Sequence, residues 1–185
     1  MRERVFKRSV DYIQHKIKTI LETVPVEDIE RLCDLFLKTK RLFVYGAGRS
    51  GLAAKAFAIR LVHLGFHTFV IGETITPPVR KGDLVIIVSA SGETIPCVMT
   101  ADIAKNLGAE VVAIVGDKTS SLAKRADLSL VLSAQCEDAE RAVFAPLGTL
   151  FEASAWILMD SLVAELMCVK GESEERMKKR HTTLQ

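Results

Sequence analysis

The sequence predicts an α/β protein built on an open, mostly parallel five-stranded sheet. Three observations carry this. Short β-branched runs alternate with segments of helical period, which is the pattern of strand–helix–strand crossovers. The runs are continuously apolar rather than alternating, as strands buried on both faces are. The chain is 49% hydrophobic but only 6% aromatic, which suits aliphatic helices packed on such a sheet. At 185 residues it has the length of one domain, and the expected division is a helical extension over 1–39, an α/β core over 40–170 and a helix and tail over 171–185.

The elements follow in order. Residues 3–23 read as a helix, with Val5, Ile13, Ile17, Ile20 and Leu21 near one stripe. Pro25 ends it and suits the first turn of a second helix, whose apolar face is Val26, Ile29, Leu32, Leu35 and Phe36. These two helices are too short for a domain and are expected to clasp the sheet or a second subunit. Arg41 opens the first strand, 42–45, which runs into Gly46-Ala47-Gly48-Arg49-Ser50-Gly51 and a helix expected over 52–64. The second strand is 68–71, with Glu73 beyond it, and a loop containing Pro77 and Pro78 leads to the third, 83–88. A helix over 94–107, strands at 111–115 and 128–132, a turn at 120–124 between them and a long apolar helix over 144–169 complete the core. Gly171 ends that helix, 172–180 forms a last short one, and the tail begins at His181.

Two turns stand out. The third strand empties into Ser89-Ala90-Ser91-Gly92-Glu93-Thr94 at a helix start. The first N–H groups of a helix have no internal partner, and the macrodipole places partial positive charge there. Hydroxyls of Ser89, Ser91 and Thr94 can donate to an anion, and Gly92 lets the backbone approach it. One such hydroxyl would be an ordinary N-cap; three in six positions point to an anion site. The second turn, 46–51, spells G-x-G-x-x-G between strand and helix, a pattern also used for dinucleotides, with Glu73 near the place of a ribose-binding acid. Its glycines require only close backbone approach. Ser50 adds a hydroxyl, and Arg49 is either an anion contact or a rim ion pair. Ligands of such sheets sit beyond the C-terminal strand ends, so if the two strands are neighbours the two turns face one crevice.

Glu152 is the candidate base. It stands among Leu147, Leu150, Phe151, Ala153, Ala155 and Trp156 early in the long helix. A carboxylate there costs desolvation unless partnered, and desolvated carboxylates make better bases near neutral pH. The alternative is a carboxylate that simply favours a helix N-terminus. His63 reads as a helix C-terminal residue interacting with the dipole, His15 as surface and His181 as a solvated tail residue. No histidines have ligand spacing, and Cys33, Cys97, Cys136 and Cys168 form no C-x-x-C. A net charge of +2 gives no argument for nucleic acid or membrane, and the thiols read as reduced in a cytoplasmic protein.

The two turns carry a resemblance. The sequence resembles the SIS (sugar isomerase) domain family, which has a glycine/serine loop after its first strand and an S-x-S-G-E-T loop after its third. The resemblance extends along the chain through Arg60 to Phe66, Gly72-Glu73-Thr74, Leu150-Phe151-Glu152 and Lys179-Arg180-His181. It implies a three-layer flavodoxin-like sandwich and an oligomer, commonly a homotetramer. It implies reversible conversion of D-arabino-hex-3-ulose 6-phosphate to fructose 6-phosphate in the ribulose monophosphate pathway, with neither nicotinamide nor metal. The phosphate site would be Ser50, Ser89, Ser91 and Thr94, in a cradle with Gly48, Arg49, Ala90, Gly92 and Glu93; the base would be Glu152. His181 would serve a neighbouring subunit's site. Another SIS ketose or aldose phosphate isomerase, a non-catalytic sugar-phosphate sensor and a dinucleotide-binding oxidoreductase are the competing readings.

Overall fold

A computed structural model describes residues 2–133 and 139–183. Cys136, part of the polar stretch before Arg141, and the final Leu184 and Gln185 lie outside the described residues. Helices α1 (Arg2–Leu21) and α2 (Val26–Lys38) precede β1 (Arg41–Gly46), α3 (Gly48–His63) and β2 (His67–Val70). Then come β3 (Leu84–Ser89), α4 (Ile95–Asn106), β4 (Glu110–Val115) and β5 (Leu128–Val131), followed by α5 (Ala139–Phe144), α6 (Thr149–Lys170) and α7 (Glu174–Lys179).

The sheet order is β2-β1-β3-β4-β5, and every pairing is parallel. All six residues of central β3 are buried, which is why its sequence shows no polar alternation. Alternate residues still divide between two cores. Leu42, Val44, Leu84, Ile86, Val112 and Ile114 face α2, α3 and α6. Phe43, Val85, Ile87, Val111 and Ala113 face Cys97, Ala101 and Ala104 of α4. This is the period-2 geometry of a strand sandwiched between helical layers. Phe36 is fully buried on the first face and meets Phe57 and Phe66 with ring centroids 6.2 and 5.5 Å apart.

Two expected boundaries move. The long helix does not begin at 144. Pro146 cannot donate a backbone hydrogen bond and disfavours helical geometry at Ala145, so α5 stops at Phe144. Leu147 then adopts φ 55°, and α6 starts afresh at Thr149, which puts Glu152 in its first turn. Likewise α3 begins at Gly48, four residues earlier than its apolar period indicates. The first two helices do clasp the core: α2 sends Leu32, Cys33 and Phe36 into it, and α1 lies on α5, where Ser9 Oγ donates to the Phe144 carbonyl at 2.6 Å.

Thiol burial gives a testable consequence. Cys33 is buried, and its thiol is pushed up to about 11 by burial, with Glu165 and Asp34 adding repulsion. Burial also raises Cys97, whereas Cys168 is exposed. The thiolate is the reactive form. A maleimide at neutral pH is therefore expected to label Cys168 in the folded protein, and Cys33 and Cys97 only after denaturation. Peptide mass spectrometry reads this directly; native labelling of Cys33 would contradict the packing of α2.

Candidate active site

The two sequence turns meet at one edge of the sheet. Gly46 pairs with Val88 in the β1–β3 register, so the turn at 46–51 and the loop at 89–94 leave adjacent strand ends. Between β1 and β3 the connections run off to opposite sides, the switch point where ligands of open parallel sheets bind.

The glycines of the first turn have different jobs. A Cβ on Gly51 would stand 2.4 Å from the Gly46 carbonyl oxygen, and one on Gly46 would stand 2.9 Å from both Gly51 N and Val88 O. These two residues let α3 start directly on the end of β1. Gly48 has φ +57° and open space before it.

The second turn is a built loop. Ser89 Oγ accepts from the Gly92 amide at 3.2 Å and donates to Thr94 Oγ1 at 3.3 Å; Ser91 Oγ accepts from the Glu93 amide at 3.2 Å. Gly92 is required: its φ is +63°, and a Cβ would collide with Ser120 Oγ at 2.2 Å. Thr94 is the N-cap residue of α4, yet its side chain makes no capping bond. Among the described residues the backbone amides of Ser91 and Thr94 donate to no carbonyl. The simple capping reading of these hydroxyls therefore fails for Thr94. Neither Ala47 before α3 nor Gly148 before α6 supplies a side-chain cap either. Three helix N-termini thus open uncapped at or near this edge, where partial positive charge favours an anion.

Glu93 departs from the expected cradle. Its carboxylate accepts from the Ser121 amide at 2.6 Å, and hydrogen bonds from the Ser121 side chain and then from that amide hold it below the usual carboxylate range. A carboxylate engaged in this way anchors the loop to the 120–122 turn; as a ligand it would repel a phosphate.

Glu152 sits with its side chain 13% exposed and accepts a hydrogen bond from Arg49 Nε. Its carboxylate lies over Gly148, where an added Cβ would come within 3.1 Å of Oε1. The next residue, Phe151, places its ring edge 3.6 Å from where a Gly116 Cβ would stand, and Gly116 N donates to Ala90 O at 3.0 Å. That chain of contacts sets the start of α6 against the serine loop. A cavity of about 430 Å³ opens between α3 and α6, lined by Arg49, Leu52, Thr149, Glu152, Trp156 and Ile157. The Arg49 side chain is 72% exposed, so it can turn from Glu152 to a bound substrate at little cost. The apolar neighbours of Glu152 were visible in sequence. Trp156 is among them; Thr149 carries no such signal, although its spacing of three residues from Glu152 puts it on the same helix face.

His181 lies elsewhere. Its ring stacks on His63 with centroids 4.9 Å apart, at the C-terminal end of α3, about 21 Å along the helix from Arg49. Within one chain it does not join Glu152, so the assigned role could apply only to a neighbouring copy. Glu73 is likewise occupied: Lys55 Nζ donates to it at 2.6 Å.

The histidine pair predicts a pH effect. Burial, followed by the neighbouring His181 and Arg60, lowers His63 below its ordinary value. The unfolded chain therefore takes up a proton near pH 6.5 that the folded chain does not, so stability present above that pH is lost as pH falls through it. Thermal melts should show a lower Tm at pH 5.5 than at 7.5, with the difference reduced in His63→Gln. An unchanged difference in that variant would remove His63 as the cause.

Comparison with known proteins agrees with this architecture. The SIS domain matches residues 35–153. A protein of Bacillus subtilis named 3-hexulose-6-phosphate isomerase is 40% identical over 162 residues, covering 86% of this chain and 88% of its own. A Methanocaldococcus jannaschii protein of the same name is 37% identical, over 84% and 83% of the two chains. A crystal structure of a Methanococcus jannaschii protein, for which a molecular function of 3-hexulose-6-phosphate isomerase was inferred, superposes with a TM-score of 0.86 at 34% identity, covering 96% of this chain and 99% of that one. The chain belongs to the SIS domain family. Within that family its similarity runs, over most of its length, to proteins named as hexulose phosphate isomerases.

Proposed function

We propose that this chain is a 6-phospho-3-hexuloisomerase, interconverting D-arabino-hex-3-ulose 6-phosphate and fructose 6-phosphate. The observation that carries the reading is the partly buried Glu152, paired with Arg49 over a mostly apolar cavity, at the sheet edge where the serine loop opens. Similarity to the named isomerases supports it.

The chemistry needs one proton moved between adjacent carbons. Glu152 takes the C2 proton of the 3-ketose. The electron pair forms the C2–C3 double bond, and O3 takes up a proton to give a cis-enediol. Glu152 returns its proton to C3 as O2 gives up its own, leaving the C2 carbonyl. One carboxylate suffices when it lies over one face of both carbons. Ser50, Ser89, Ser91 and Thr94 hold the phosphate, so distant binding energy fixes the reacting carbons. Arg49 released from Glu152 offers positive charge to the developing enediolate. The assembly proposed is a homotetramer in the cytoplasm, with His181 available to a neighbouring copy.

Proton exchange tests this. Fructose 6-phosphate incubated with the protein in deuterated water is expected to gain deuterium at C3, located by NMR. Label at C1 would mean a 1,2-enediol and an aldose–ketose isomerase. An unlabelled sugar with a folded protein would sink the isomerase reading for this substrate and favour a sugar-phosphate sensor.

A further inference from the structure

The opposite edge of the sheet carries a second, strongly basic cavity. It has a volume of about 840 Å³ and is lined by Lys38, Lys40, Arg41, His67, Arg80 and Lys81, with Asp83 at its base. Arg41 starts β1 and Gly46 ends it, so this cavity lies about 17 Å along the strand from the serine loop. No step of the proposed isomerisation reaches it.

We propose that this cavity binds the adjacent phosphates of an oligophosphate, free or carried on a nucleoside. The first argument is charge. The whole chain carries only +2, yet five permanent cations line this one pocket against a single carboxylate. That carboxylate is turned inward. Asp83 is buried, with a side chain 5% exposed, and accepts from Arg41 Nε at 2.9 Å, from Arg41 Nη2 at 2.5 Å and from the Arg80 backbone amide at 2.6 Å. It fixes the guanidinium and the loop without cancelling the charge of the outer side chains. The second argument is pairing. Lys38 reaches Asp34 at 3.8 Å on its own helix, but Lys40, Arg80 and Lys81 have no ion pair among the described residues.

The third argument is shape. Concave, low-dielectric walls focus the field of such cations and raise the local concentration of anions. A flat acidic protein surface would gain less from this concavity. A lone monophosphate would engage two or three donors, whereas a chain of phosphates can span the cations around the pocket. The C-terminus of α2 favours a cation at Lys38 and at Lys40 just past its cap, and Lys81 packs against Gly108 beyond the end of α4; Arg41 and Arg80 belong to no helix.

The test uses the intact protein with inorganic tripolyphosphate and ATP as probes, by calorimetry at low salt. Saturable binding of one tripolyphosphate per chain is expected below about 1 mM, weakening as salt rises. Lys40→Glu combined with Arg80→Glu should weaken it by about tenfold or more, while Ser89→Ala leaves it unchanged. Circular dichroism verifies the fold, and Lys40→Gln with Lys81→Gln serves if the reversed pair does not fold. Tighter binding of ATP than of tripolyphosphate assigns a nucleoside carrier; equal binding assigns the free anion. The proposal is overturned if neither probe saturates, if binding survives both double variants, or if Ser89→Ala abolishes it. Binding of polyglutamate that tripolyphosphate does not displace would instead assign a protein surface. None of these outcomes depends on isomerase turnover.

Discussion

Glu152→Gln is expected to lower kcat for the hexulose phosphate interconversion by about 10³-fold, within the ~10²–10⁴ a general base supplies, and to leave phosphate affinity nearly unchanged. The amide keeps the size of the carboxylate and can still accept from Arg49, but it cannot take a proton from carbon. A factor of ~10³ corresponds to about 4 kcal/mol of barrier. The cost to folding should be far smaller, about 0–1 kcal/mol, because the Arg49 side chain is 72% exposed and loses little when its partner is neutral. That difference in scale separates the readings. A base shows a collapsed C3 exchange rate with a normal melt and normal protection by inorganic phosphate. A purely structural Glu152 shows a lowered melt with proportionate loss of everything. Arg49→Lys keeps charge but loses the guanidinium's fixed geometry, so it should be affected less than Glu152→Gln. Wild-type exchange in Glu152→Gln would move the base to another residue.

Most of the sheet could be read from the chain because burial on both faces leaves an unmistakable signature. Six consecutive buried residues in β3 and five of six in β4 allow little but aliphatic side chains. The serine loop was legible for a different reason: hydroxyls, glycine and a helix start must coincide to build it. Glu152 was legible as a carboxylate among apolar neighbours, but its partner was not. Arg49 lies 103 residues away in sequence, and no local pattern encodes that distance. The break before α6 is announced only by Pro146, because the apolar period continues across 144–169 and masks it. G-x-G-x-x-G was ambiguous on physical grounds. Gly46 and Gly51 are demanded by the close approach of strand and helix, a demand that dinucleotide folds share, so the letters report packing before they report a ligand. The basic cavity joins residues from α2, β1, β2 and the loop before β3, which only the parallel register assembles.

Gly51→Ala should be a severely damaging single-carbon change. Its Cβ would stand 2.4 Å from Gly46 O and 2.9 Å from Gly46 C, both backbone atoms at the end of β1. Neither can rotate away as a side chain would. Relief requires α3 to lift by about 1 Å, the gap between that contact and ordinary van der Waals separation. Lifting α3 disturbs Ala53, Ala54, Phe57, Ala58 and Leu61, all buried against the sheet. Helix propensity pulls the other way, since alanine is favoured over glycine inside a helix by about 1 kcal/mol. Overpacking of a close contact costs about 1–3 kcal/mol or more, and here the whole helix must respond. A net loss of about 3 kcal/mol is expected, lowering Tm by roughly 6–12 °C for a chain of this size. Arg49 moves with the helix, so isomerase turnover should fall as well. Gly48→Ala is the control. Its φ of +57° costs an alanine about 1–2 kcal/mol, but nothing lies within 4 Å of its Cβ. Gly51→Ala should therefore melt below Gly48→Ala. The reverse order would mean that backbone conformation at Gly48, rather than the approach of α3 to β1, fixes this turn, and the placement of Arg49 over Glu152 would then rest on the wrong glycine.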